Sequence, residues 1–332
     1  MIDYLKEINL DQNLIDKIIE FRKSNIDEED KDRIVKPEFK YYGEDVLKKA
    51  ITAILSGKNI LLSGPKATGK NVLAQNLSYI FNRPSWDISF HVNTDYNSLV
   101  GADTFKDGKV VFRKGPVYEC AKKGGFGVLD EINMAKNEAI SVLHATLDHR
   151  RVIDIPGYDK IKLDDKTRFI ATMNYGYVGT REVNEALASR FMVINMPNIT
   201  RENLKHLLKD KFPKLKEKYM ETFIDIFESL QEKSENSEIS TKSVDLRGLI
   251  SAIETMEIGL NPYDAIEMGL INKSFDEFER ELVRDSVDSK LPKEIKESVF
   301  DDWYFWKVKS YECDLGFCWW LQNISQVLLF HG

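Results

Sequence analysis

Ile60-Leu61-Leu62-Ser63-Gly64-Pro65-Lys66-Ala67-Thr68-Gly69-Lys70-Asn71-Val72-Leu73-Ala74-Gln75-Asn76-Leu77 decides the fold. The first four residues read as a short buried strand, and the run from Val72 has the composition of a helix. Between them lies a loop bounded by glycines that hands the strand directly to a helix N-terminus. In that order, backbone N–H groups converge on one anion and the helix dipole favours its negative charge. Gly64, Pro65, Lys66, Ala67, Thr68, Gly69, Lys70, Asn71 and Val72 are therefore the candidate contacts of a nucleoside triphosphate, with Lys70 reaching its outer phosphates. Two positions depart from the usual pattern of such loops. Asn71 stands where a Ser or Thr hydroxyl ordinarily ligates Mg2+, and its amide oxygen is a hard donor too. Ala67 stands where many such loops have glycine.

Downstream, Phe126-Gly127-Val128-Leu129 is an apolar strand that ends in Asp130-Glu131. This strand is expected beside the first, so that Asp130 can hold Mg2+, directly or through water, while Glu131 orients and deprotonates an attacking water. A further strand, Phe169-Ile170-Ala171-Thr172-Met173, ends at Asn174, whose neutral amide can sense the γ-phosphate and help position that water. The helical stretch Ala186-Leu187-Ala188-Ser189-Arg190-Phe191 precedes a strand from Met192 to Asn195. Arg190 there can reach the nucleotide of a neighbouring subunit and supply charge to the transition state, the alternative being a surface salt bridge. Arg247, in Ser243-Val244-Asp245-Leu246-Arg247-Gly248-Leu249, opens a helix from which it can contact the γ-phosphate. Tyr41, Tyr42 and Gly43, just before the first domain helix, are candidates for a base pocket.

Taken together, Gly64 to Asn71, Val128 to Glu131, Met173-Asn174, Ser189-Arg190-Phe191 and Asp245-Leu246-Arg247 resemble the AAA+ ATPases of the MoxR group, most closely its CbbQ/NorQ-like branch. The similarity covers residues 36 to 290, with Gly115-Pro116-Val117-Tyr118-Glu119, Ile132-Asn133 and Gly179 to Leu187 as supporting stretches. The resemblance implies that Lys70 is the Walker A lysine, Asp130 and Glu131 the Walker B acids, Asn174 sensor 1, Arg190 the arginine finger and Arg247 sensor 2. It also implies ATP and Mg2+ as ligands, a hexameric ring, and a partner with a von Willebrand factor A domain that helps remodel or activate a client protein.

Around these motifs, apolar strands alternate with helical patterns from residue 36 to 199. That alternation predicts an α/β fold, a P-loop αβα sandwich on a parallel sheet. Two hairpins interrupt it. One is Thr104 to Phe112 around Asp107-Gly108, and the other runs from Arg151 across Pro156-Gly157 to Leu163. Residues 200–290 are almost wholly helical and read as a small all-helical lid, with Thr200 as a helix cap, Glu232 to Glu238 as a polar loop and Ser243 to Ile258 as one helical run. Residues 1–35 read as an N-terminal helical extension ending in the charged linker Asp27 to Arg33. The segment 291–332 is an aromatic-rich tail holding Trp303, Trp306, Trp319 and Trp320.

Composition narrows the function classes. The chain has 332 residues and a formal net charge of −7, so no global positive field draws it to nucleic acid or anionic lipid. Its three cysteines, Cys120, Cys313 and Cys318, lack metal-ligand spacing and suit a reducing compartment. The N-terminus has no apolar core of a signal peptide, and Leu315 to Phe330 is too short and too polar for a span, so a cytoplasmic protein is expected. Three functions remain in play: an ATP-driven ring remodeller, a nucleic-acid translocase kept in view by Lys106, Lys109, Arg113 and Lys114 in the first hairpin, and a nucleotide-binding scaffold with little turnover, suggested by Asn71.

Overall fold

A computed structural model of the chain describes residues 2–174, 185–295 and 297–301. It divides into two compact units, one from Met1 to Asn203 and one from Leu204 onward. The first unit contains, in chain order, α1 (Ile2–Glu7), α2 (Gln12–Arg22), a 3-10 turn over Glu28–Arg33, α3 (Glu44–Leu55), β1 (Ile60–Ser63), α4 (Lys70–Ile80), β2 (Ser85–Ser89), α5 (Tyr96–Leu99), β3 (Gly101–Lys106) and β4 (Lys109–Lys114). It continues with α6 (Pro116–Lys122), β5 (Phe126–Asp130), α7 (Asn137–Ser141), α8 (His144–Leu147), β6 (Val152–Ile153), β7 (Ile161–Lys162), β8 (Arg168–Met173), α9 (Glu185–Ala188) and β9 (Met192–Asn195).

Five strands form one parallel sheet in the order β2-β5-β8-β1-β9. Alternation along each strand sends Ile60, Leu62, Val128 and Ile170 into one core, and Leu61, Leu129, Phe169 and Ala171 into the other. Burial on both faces is why these strands read as unbroken apolar runs. The order corrects one expectation. β5, which carries the acids, is not beside β1; β8 lies between them, pairing Ile170 with Ile60 on one side and with Val128 on the other. Any contact between the acids and the loop after β1 therefore passes over the C-terminal end of β8.

The N-terminal helices belong to the same layer as α3 and α4. Tyr4, Leu5, Leu10, Ile15, Ile18 and Phe21 are buried in the core shared with Leu47, Ile51, Leu73 and Leu77. The charged stretch expected to be a linker is instead the 3-10 turn, and Asp30 within it is buried against Lys123 at 3.0 Å. An ion pair to a residue far along the chain, here the one that follows α6, leaves no local trace in the sequence.

Both hairpins form. β3 and β4 pair antiparallel from Gly101↔Lys114 to Lys106↔Lys109, and Asp107 and Gly108 both take the positive φ of a tight two-residue turn. The second is smaller, two residues on each side. Tyr158 between its strands donates to Asp103 at 2.6 Å and lies 5.1 Å from the Phe112 ring, tying the hairpins together. Phe105, Val110 and Val111 stay exposed on the first.

The second unit is helical: α10 (Arg201–Lys211) leads into it, followed by α11 (Glu217–Glu235), α12 (Leu246–Glu257), α13 (Pro262–Gly269) and α14 (Glu277–Asp288). Thr200 caps α10, accepting from the Asn203 N–H at 3.3 Å. α11 runs through most of the stretch expected as a polar loop, because its Glu and Lys residues are good helix formers. Phe223, Phe227, Ile253, Ile266, Val283 and Val287 make the core. No helix among the described residues is long and apolar enough to cross a membrane. Gly179 to Asn184, Cys313, Cys318 and the tail tryptophans lie outside the described residues.

Candidate nucleotide site

The loop after β1 is built from the strand outward. Ser63 O accepts from Met196 N at 2.7 Å, and Gly64 N donates to Met173 O at 3.3 Å, so the strand end is pinned on both sides. Gly69 sits at φ +79 and caps α4, a left-handed conformation that turns the loop into the helix without a Cβ penalty. Ala67 takes φ +61, so the residue that departs from the loop pattern also occupies the backbone region that favours glycine.

Lys70 is only 7% exposed, and its ammonium donates to Gly64 O at 3.0 Å, to Pro65 O at 2.5 Å and to the Thr68 hydroxyl at 3.3 Å. Burial pushes its pKa down to about 8, while Asp130 and Glu131 pull it back up. Both acids thus act electrostatically on the lysine.

Asp130 ends β5 and Glu131 follows it at φ +54. Thr172 of β8 donates from its hydroxyl to Asp130 Oδ1 at 2.5 Å and accepts from the Glu131 N–H at 3.0 Å. Asn71 donates from Nδ2 to Asp130 Oδ2 at 3.1 Å, and Asn174 donates from Nδ2 to Glu131 Oε1 at 3.1 Å. Asn133 in turn donates to Asn174 O at 2.8 Å and fixes the end of β8. Thr172 and Asn133 are legible in the sequence only as members of their stretches, neither with a role in the site. A partial signal for Thr172 was present, since a hydroxyl in the apolar run Phe169 to Met173, two positions before Asn174, has to find a partner when buried, though the run does not say which.

A hard divalent cation fits this donor set. Asp130 presents carboxylate oxygens of the kind Mg2+ takes alongside phosphate oxygens and water, whereas Asn71 turns its amide nitrogen to Asp130 and would have to rotate its amide to offer the oxygen.

Of the other expected residues, Arg190 and Tyr41 belong to the first unit and Arg247 to the second. Arg190, after α9, donates to His144 O at 3.3 Å and to Ala186 O, and its guanidinium lies 3.8 Å from Asp148. It is thus joined to α8 and its flank, and no hydrogen bond or ion pair among the described residues links it to Lys70 or the acids. Arg247 is exposed in the first turn of α12, where its N–H donates to the capping Asp245 carboxylate at 3.1 Å. It belongs to the second unit. The Tyr41 ring packs on the loop itself: a Cβ built on Gly69 would meet it at 3.4 Å, and one on Gly43 at 2.7 Å.

A parallel sheet with a phosphate loop after its first strand, two acids after β5 and a polar residue at the end of the strand between them defines a P-loop ATPase of the AAA+ class. Residues 59–191 match the AAA domain of the dynein-related subfamily. The chain is 32% identical over 295 residues to the uncharacterized protein YojN of Bacillus subtilis, a match spanning 87% of this chain and 96% of that protein. Uncharacterized proteins of two Staphylococcus aureus strains are 35% identical over 237 residues, 70% of this chain and 90% of theirs. A crystal structure from Cytophaga hutchinsonii overlays with a TM-score of 0.42 at 17% identity, covering 84% of this chain and 97% of that one. The chain belongs to the family of the Bacillus and Staphylococcus proteins, and residues 59–191 of its first unit match the dynein-related AAA domain.

Proposed function

We propose that this chain hydrolyses Mg-ATP in the cradle ending at Lys70 and uses the cycle to remodel or activate a partner protein, as the MoxR-group resemblance suggests. The observation that carries the reading is the convergence of three separated polar stretches, Lys70-Asn71, Asp130-Glu131 and Asn174. Asn71 meets Asp130, and Glu131 meets Asn174, over the end of β8 and beside Lys70.

In this reading Lys70 and the backbone at the start of α4 bind the phosphates. Asp130 and Asn71 would hold Mg2+, which neutralises phosphate charge when bound. Glu131 accepts the proton of the attacking water, and Asn174 keeps that carboxylate aimed while its amide reaches the γ-phosphate. Arg190 acts in a neighbouring subunit of a ring, leaving Asp148 to do so. The linked hairpins, with Phe105, Val110 and Val111 exposed, are the surface offered to a client, and a von Willebrand factor A-domain protein is the adaptor that the resemblance implies.

The experiment is Mg-dependent ATP hydrolysis by the wild type and by Glu131→Gln, with ATP affinity measured on both. Turnover that falls at least about a hundredfold with affinity kept supports the reading. Undiminished turnover in Glu131→Gln would remove Glu131 as the base.

The bond between Asn71 and Asp130 favours a second reading, a nucleotide-dependent scaffold with little turnover, because the Asn71 nitrogen and not its oxygen faces the acid. A wild type that binds ATP without hydrolysing it would select that reading.

A further inference from the structure

We propose that α1 is a positioning element for the nucleoside end of the ATP site, with Tyr4 holding Tyr41 against the phosphate loop; the inference rests on the nucleotide reading given above. The segment from 34 to 43 has neither helix nor strand, so side chains from elsewhere have to fix its path. Asn76 of α4 donates from Nδ2 to Phe39 O at 2.8 Å. Tyr4, 5% exposed, donates from its hydroxyl to Tyr41 O. The same Tyr4 ring has the Lys40 ammonium 5.9 Å from its centroid and the Tyr42 ring edge-on at 6.4 Å. Three consecutive residues, 40 to 42, are thus gathered around one side chain of α1.

What this contact positions is the Tyr41 ring, which lies against Gly69 with no room for a side chain on Gly43. Direction along the site follows from the polar groups. Lys70 aims at Gly64 and Pro65, and Asn71 at Asp130, which marks the outer-phosphate end. A triphosphate running from there past the first turn of α4 leaves its nucleoside beside the segment that Asn76 ties to that helix. Tyr41 is the aromatic face available there.

The N-terminal helices are braced for this role. Arg22 of α2 donates to Tyr79 O at 3.2 Å and to Ile80 O at 2.6 Å, satisfying carbonyls at the C-terminal end of α4. Phe21 beside it is surrounded by the cationic ends of Lys166 at 4.4 Å, Arg83 at 5.5 Å and Arg168 at 5.8 Å. The pair α1–α2 therefore grips the P-loop helix at its far end through Arg22 and reaches its near end through Tyr4 and Tyr41.

The test compares ATP with inorganic tripolyphosphate, which has the phosphates and no nucleoside, by calorimetry with Mg2+ on the full chain. Tyr4→Phe deletes one hydrogen bond and is expected to weaken ATP about fivefold while tripolyphosphate affinity stays within a factor of two. Tyr41→Ala is expected to reproduce that selectivity with a larger loss for ATP. In hydrolysis assays, KM for ATP rises and kcat is kept in Tyr4→Phe, which general loosening of the fold would not produce. Equal losses for both ligands, or no loss for ATP in Tyr4→Phe, overturns the role of α1 while the nucleotide reading stands. A wild type that takes up neither ligand overturns both.

Discussion

Asn174 donates from Nδ2 to Glu131 Oε1 at 3.1 Å, joining the end of β8 to the residue that follows β5. The contact exists because β8 is the middle strand of the three that carry the site, so its terminal residue faces both flanks. An amide in this place can donate to the carboxylate and still present its oxygen to water.

Removing that donor gives the first prediction. Asn174→Ala is expected to lower kcat for ATP about 10- to 100-fold, because Glu131 loses its orientation, while ATP affinity changes less than about threefold. Asn174→Asp is expected to be worse, since a like charge beside Glu131 favours a protonated carboxyl that cannot accept the water's proton. Single-turnover hydrolysis together with equilibrium ATP binding checks both. Full activity in Asn174→Ala would show that the contact has no part in the chemistry.

Asn71 supplies the second. Its amide is bonded to Asp130 at 3.1 Å, so a metal ligand at this position has to compete with that bond. Asn71→Thr exchanges the amide for a hydroxyl that can ligate Mg2+ directly. It is expected to lower the Mg2+ concentration needed for half-maximal hydrolysis by about three- to tenfold, roughly the worth of one modest hydrogen bond or ligand contact. Titrating MgCl2 at fixed ATP reads this out; a higher Mg2+ requirement in Asn71→Thr would show the native amide to be the better ligand.

The strand–loop–helix from Ile60 to Leu77, the acid pair and Asn174 were legible because each is a local pattern: a polar group placed where an apolar run stops. What escaped was lateral. Nothing in Phe126 to Leu129 or Phe169 to Met173 tells which strand lies next to β1, since both are apolar on two faces. Thr172 became visible as a site residue only once its strand was known to run between the acids and the loop. The buried pair of Asp30 and Lys123 was lost for the same reason, as charge runs are solvated on average and the exception depends on a partner far along the chain. Arg190 was legible as a residue type in a place. Its present partners, Asp148 and His144, were not.

A third prediction concerns the second unit. Gly248 of α12 and Gly269 of α13 let two helix backbones touch: a Cβ on Gly248 would stand 2.0 Å from Gly269 O. Alanine there gains about 1 kcal/mol of helix propensity, yet the clash with a backbone atom cannot be relieved by a side-chain rotation. Gly248→Ala is expected to destabilise the α12–α13 pair by roughly 2 to 3 kcal/mol. Ser251→Ala, at an exposed position on α12, is expected to leave stability within about 0.5 kcal/mol. Amide hydrogen exchange across α12 and α13 compares them; unchanged protection in Gly248→Ala would mean that the helices separate at little cost.

The fourth concerns Asp148, which holds Arg150 at 2.7 Å and lies 3.8 Å from Arg190. The hydrogen bonds and charge of Arg150 bring the Asp148 carboxyl down to about 2, against opposing burial. A carboxyl whose pKa is depressed in the folded chain stabilises it above the unfolded value near 3.9, and that contribution is lost as the pH falls through the folded value. Because Arg150 is exposed, solvent screens part of this interaction. Asp148→Asn is expected to be less stable than the wild type at pH 7, with the gap narrowing between about pH 4 and pH 2 as the wild-type carboxyl takes up its proton. Urea unfolding at pH 7, 4 and 2 measures the gap, and a difference that persists undiminished at pH 2 would assign the loss to packing. The same substitution weakens the hold on Arg190. If the arginine acts on a neighbour's nucleotide, Asp148→Asn is expected to keep ATP turnover at pH 7 in the assembled protein, whereas Arg190→Ala abolishes it, which separates the clamp from the group it holds.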